Sequence, residues 1–305
     1  MRVVLRIPPV PPPDGGFVEV ADRCWVARHS WFDVNVSVVG GERGLLVVDT
    51  HASERAAEAV AEQVRALPGE LVGVVNTHEH FDHTFGNRVF AATQVPVYAH
   101  ETAAANTVPA GERIKTLYDE EPEDPHRAEV QATRIVPATD TFSSARVVDL
   151  GDRQVELVHP GRGHTAGDAV VRVPDADVVL AGDLVEESVR GHHGPREGVN
   201  GVPGFGADCF PMDWPLTLDL VIGLLSAETV VVPGHGVPVD RDFVQEQRSA
   251  IGIVAETIRD LATRGVPVMD ALGAAEWPYP AEDLHHAVRR GYEQLPRSSR
   301  SLPLL

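Results

Sequence analysis

The chain has 305 residues, with 26 Lys+Arg against 45 Asp+Glu and a formal net charge of −19. That length holds one large domain or two small ones, and 43% hydrophobic with 23% charged residues is ordinary for a soluble globular fold. The acidic surplus, with Lys115 the only lysine, argues against nucleic acid and anionic membrane as partners, because both need clustered basic side chains.

In chain order, residues 1–16 form a Pro-rich lead with no secretory pattern, so the expected location is cytoplasmic. Strand-like runs follow at 17–20, 24–28 and 34–39. GLLVVD at 44–49 is a continuous apolar run ending in an acid, as in a strand covered on both faces. Residues 53–67 read as a helix, with Ala56, Val60, Val64 and Leu67 three or four apart and Pro68-Gly69 as the stop. A strand at 71–76 then delivers the chain into THEHFDH at 77–83.

The middle predicts a strand at 95–99, an interrupted helix at 101–121 and an acidic, Pro-containing surface loop at 119–127. Strands are expected at 146–150, 154–159, 169–173 and 177–181. Residues 186–214 are Gly- and Pro-rich without periodicity and read as a long loop of the kind that often serves a site. A helix over 214–225 and a buried strand at 229–232 follow. The C-terminal helical part, 240–295, carries Ile251, Val254, Ile258 and Leu261 on one stripe, then Leu284, Val288 and Tyr292 on a further helix. Residues 17–295 are expected to form one domain, with 296–305 a disordered tail.

A pattern links the halves. A strand ending at Asp49 precedes a helix and then a strand ending at His78; a strand ending at Asp183 precedes a helix and then a strand ending at His235. This arrangement would bring four polar side chains to one rim.

The chemistry lies in the histidines. His78, His80, Asp82 and His83 fall within six positions just after a buried strand, and imidazole with carboxylate is a good donor set for zinc and related divalent metals. A solvated histidine-rich loop would explain that run alone. The later donors change the balance: His164 in GHTAGD, Asp183 in AGD and His235 in PGHG each lie at or beside a strand end, next to glycine. Cys24 and Cys209 are too far apart for a Cys-rich zinc site or a disulfide framework, and Gly-x-Ser-x-Gly is absent.

On HEHFDH, GHT, GD and PGHG, spanning about residues 17–236, the chain resembles the metallo-β-lactamase superfamily in its glyoxalase II-like and lactonase-like branch. The resemblance implies an α/β fold, a four-layer αββα sandwich with a dinuclear metal site at its rim. One metal would be held by His78, His80 and His164, the other by Asp82, His83 and His235, with Asp183 between them and Asp49 orienting the ligand loop from behind. Zinc is the expected metal, with iron or manganese as alternatives. Members that cleave β-lactams efficiently often carry cysteine where this chain has Asp183. Diiron flavoproteins typically carry glutamate at the His80 position.

The implied reaction is hydrolysis of a thioester, ester or lactone, small or carrier-linked, by a water acidified between two cations, with Asp82 and Asp183 as the catalytic carboxylates. Alternatives carried beside it are an iron persulfide dioxygenase, a polyketide-type cyclase-thioesterase and a non-catalytic metal-binding module. Asp168 departs from the glutathione thioesterase pattern, which has histidine after GHTxG. Trp31, Phe32, Asn35, His193, Phe210 and Trp214 are the expected substrate-contacting residues, and the reading is compatible with a homodimer.

Overall fold

The apolar run at 44–48 is explained by what covers it on each side. In a computed structural model, which describes residues 9–188 and 201–296 and the backbone of 190–191 and 194–195, it is a strand buried along its whole length. The first sheet runs in the order β1 (Val18–Ala21), β2 (Cys24–Arg28), β3 (Asn35–Gly41), β4 (Gly44–Val48), β5 (Leu71–Val75), β6 (Val97–His100) and β7 (Asp140–Phe142). Pairing is antiparallel from β1 to β4 and parallel from β4 to β7.

The second sheet contains β8 (Ala145–Asp149), β9 (Gln154–Val158), β10 (Val170–Val173) and β11 (Val178–Glu186). After a two-stranded ribbon, β12 (Arg190–Gly191) with β13 (Gly194–Pro195), β14 (Val230–His235) returns to pair with β11 in parallel. The order is β14-β11-β10-β9-β8. An isolated bridge between Val34 and His235 joins the two sheets at one rim.

Strand alternation sorts the core into layers. Leu46 and Val48 point inward with Val26, Leu157, Val171 and Leu180, filling the space between the sheets. Leu45 and Val47 point outward onto α1 (Glu54–Arg65), meeting Ala57, Val60 and Val64. On the other side, Val179 and Val231 meet α6 (Trp214–Ile222), α7 (Arg241–Thr263) and α8 (His285–Gln294) through Leu218, Ile251, Ile258 and Val288. Helix, sheet, sheet and helix make the expected αββα order. Ser53 and Asp240 cap α1 and α7 through their side-chain oxygens, as short polar residues at helix starts do.

The remaining helices are α2 (Phe81–Thr84), α3 (Asn87–Ala91), α4 (Glu101–Glu120) and α5 (Arg127–Ala132). The expected interruption in α4 is absent: Pro109 lies on the exposed face, and Ala105, whose carbonyl loses its amide partner, is exposed too. The strand expected at 177–181 continues to Glu186, because β14 keeps pairing with it through two register shifts around Gly182. The 119–127 segment is mostly surface, except that His126 is half-buried against Trp31. Among the described residues, no helix is long and apolar enough to cross a membrane.

Candidate metal centre

Asp49 follows β4 in a left-handed conformation (φ 62°), which turns its carboxylate toward the loop after β5. Its Oδ1 accepts the Thr77 amide at 2.8 Å, and its Oδ2 accepts the Thr77 hydroxyl at 2.8 Å and faces His83 Nδ1 at 2.9 Å. The Thr77 hydroxyl is thereby committed as a donor to Asp49, so it accepts from His78 Nδ1, 3.0 Å away. Both rings then turn Nε2 toward the rim. His235 does the same, donating Nδ1–H to the Phe32 carbonyl at 2.8 Å.

Two donor groups result, His78 with His80, His164 and Asp183, and Asp82 with His83 and His235; within each, the ligand atoms lie within 4.8 Å of one another. Asp183 reaches both. Its Oδ2 is 3.6 Å from His78 Nε2, 3.4 Å from His164 Nε2 and 3.1 Å from His235 Nε2, and its Oδ1 is 3.2 Å from His83 Nε2. Asp82 Oδ2 lies 3.4 Å from His235 Nε2 and 3.6 Å from His83 Nε2. The close approach depends on Gly234, where a Cβ would stand 1.8 Å from Asp183 Oδ1.

The donor set fits divalent cations. His78 Nε2 is buried and has no hydrogen-bond partner among the described residues, which is costly unless something else satisfies it. Burial holds His78 well below the ordinary histidine range and His164 at about 4, so both rings are neutral and each keeps a nitrogen lone pair. Burial opposes charge on Asp183, but His235 and His83 beside it hold its carboxyl well below the usual range. Burial likewise opposes charge on His235, yet Asp183 and Asp82 raise it to about 10. A cation bound there would take over the balancing of the carboxylates.

The expected metal-binding residues thus converge, with Asp49 behind them. The expected substrate residues do not. Asn35 is buried, and its amide donates to the Pro233 and Gly236 carbonyls at 2.9 and 2.8 Å; it holds the His235 turn and is not available to a substrate. Trp214 is fully buried, donates Nε1–H to the Leu184 carbonyl at 3.2 Å and packs on Phe205, so it belongs to the core. Trp31 stacks on His126 at 3.7 Å, Phe32 meets Phe81 edge-on at 5.4 Å, and Phe210 is half-buried between the Arg162 and Arg290 guanidiniums. His193 lies outside the described residues. His51, next to the motif, is buried against His29 with Nδ1 accepting the Ala52 amide, and is not in either donor group.

Three carboxylates around the site escape sequence reasoning. Asp168 accepts from the Gly163 and Thr165 amides at 3.0 Å and from the Thr165 hydroxyl at 2.6 Å, fixing the turn that carries His164. Glu186 Oε1 accepts the Gly204 amide at 2.9 Å and lies 3.8 Å from His164 Nδ1. Asp208 faces His80. The GHTAGD spacing holds a signal for Asp168, whose side chain reaches back to its own turn. Glu186 and Asp208 meet their histidines only through tertiary approach.

An αββα sandwich with a buried His/Asp site at the joined rim of its sheets defines a class of metal-dependent enzyme. The family model for the metallo-beta-lactamase superfamily matches residues 29–235, from the end of β2 to the last histidine of the site. The chain belongs to that superfamily, whose members are generally metal-dependent hydrolases. It is 24% identical over 211 residues to the type 2 metallo-beta-lactamase of Bacillus cereus, covering 69% of this chain and 70% of that one. Among solved structures, DIM-1 metallo-beta-lactamase superposes with a TM-score of 0.58 at 23% identity, covering 80% of this chain and 99% of that one. The inverting sec-alkylsulfatase Pisa1 from Pseudomonas sp. superposes with a TM-score of 0.69 at 16% identity, covering 92% of this chain but 50% of that one. At such identities the structures speak for the fold alone.

Proposed function

We propose that the protein is a hydrolase that uses two divalent cations, zinc by its donor chemistry, to cleave a thioester, ester or lactone. The observation that carries this reading is Asp183, whose one carboxylate lies within 3.6 Å of nitrogens from both donor groups. Five imidazoles and two carboxylates suit zinc, and an oxygen donor at the shared position suits a closely spaced pair of cations. Bound there, the ions supply a water acidified toward neutral pH and a Lewis acid for the substrate carbonyl.

The chain's own contribution is placement and proton handling. Asp49 fixes the loop of His78 and His83 through three contacts, so the nitrogens stay aimed at the rim. Asp82, beside His83 and His235, would take a proton from the attacking water and return it to the departing oxygen or sulfur. A covalent route through cysteine is disfavoured: Cys24 and Cys209 are buried, and burial pushes both thiols up to about 12.

The test is metal analysis of protein purified without added metal, followed by hydrolysis assays on thioesters, lactones, β-lactams and persulfides. Zinc with thioester or lactone turnover, lost on chelation, is the expected result. Stoichiometric iron with oxygen uptake on persulfide would overturn it.

A further inference from the structure

His80 differs from the other four histidines of the site. It turns Nδ1 inward, 2.8 Å from His164 Nε2, whereas the others present Nε2. Its Nε2 therefore points away from the donor group, and it meets Asp208 Oδ2 at 3.1 Å. Both side chains are partly exposed, at 23% and 33%, so nothing in the surrounding core forces this pairing. The loop carrying Asp208 is nevertheless anchored on both flanks. The Gly204 amide donates to Glu186, the Phe210 amide donates to the Gly163 carbonyl at 2.7 Å beside His164, and Arg290 and Gln294 of α8 both donate to the Cys209 carbonyl at 3.1 Å.

A neutral imidazole has one proton, and the group that accepts it decides which nitrogen keeps a lone pair. A carboxylate at Nε2 holds the proton there, leaves Nδ1 free and raises its basicity, much as Asp49 does from the opposite nitrogen of His83. We propose that Asp208 is a positioning residue that holds the His80 proton on Nε2 and so sets the affinity of the first donor group for a divalent cation. This rests on the two-cation reading above.

The experiment is zinc titration of the whole chain against a competing chelator, for wild type, Asp208→Ala and Asp208→Asn, with kcat and KM measured on the best substrate of the hydrolysis panel. Wild type should bind two ions. Asp208→Ala should weaken one of them by about 10–100-fold with KM unchanged. Asp208→Asn, whose amide oxygen can still accept Nε2–H, should recover most of that loss. If Asp208→Ala does not fold, Asp208→Ser, too short to reach His80, carries the same expectation. Unchanged affinity for both ions in the Ala or Ser variant overturns the inference alone, as does a raised KM with ion binding intact, which would make Asp208 a substrate contact. A wild-type chain that binds no zinc overturns the two-cation reading and this inference with it.

Discussion

Two βαβ units of the chain present an acid and a histidine to the same rim, and they use the acid differently. In the unit β4-α1-β5, Asp49 comes just after its strand in a left-handed conformation, and its oxygens are taken by Thr77 and His83. In the unit β11-α6-β14, Asp183 lies inside its strand beside a register shift, and Gly234 of the paired strand leaves it room to lie between the two donor groups. One acid holds the donor side chains from behind and the other stands among them. Similar patterns of strand, acid, helix, strand and histidine thus lead to separate roles, decided by where the partner strand leaves space.

Substitution separates the two acids. The largest effect is expected from Asp183→Ala, which removes the one oxygen donor common to both groups: hydrolysis should fall to the detection limit while circular dichroism shows the fold retained. Asp49→Ala should instead leave both groups complete but poorly aimed, weakening zinc binding by about 10–100-fold in a chelator competition. If the two variants behaved alike, the distinction between the two acids would be lost.

Smaller effects are expected from the residues that leave room for Asp183 and hold the His235 turn. Gly234→Ala puts a methyl against Asp183, and overpacking of this kind costs about 1–3 kcal/mol in denaturant unfolding. Asn35→Ala strips the Pro233 and Gly236 carbonyls of their donor and should cost a similar ~1–3 kcal/mol, with KM unchanged if its role is to hold the His235 turn. The least effect concerns the thiols. With both raised to about 12 the thiolate is absent at neutral pH, so alkylating reagents should label neither cysteine until the chain is unfolded.

Much of this was legible beforehand because the ligand segments are short and punctuated. HEHFDH, GHT, AGD and PGHG each place donors beside a strand end, so local pattern and site geometry agree. The apolar period also located the sheets and the stripe of α7. What was not legible depends on contacts distant in sequence. Asn35 and Trp214 look like pocket residues until β14 and the Leu184 carbonyl are brought to them. Asp208 pairs with a histidine 128 residues away, and no local period records that. The strand expected at 177–181 runs on through Gly182 and Asp183 to Glu186, because β14 pairs with it across two register shifts.

If Asp183 is shared by two cations, the number of zinc ions bound per chain, counted by equilibrium titration in wild type and in Asp183→Ala, depends on it. Two ions per wild-type chain, with tight binding of both lost in the variant, is the expected result. An Asp183→Ala chain that still binds two ions as tightly as wild type would contradict it.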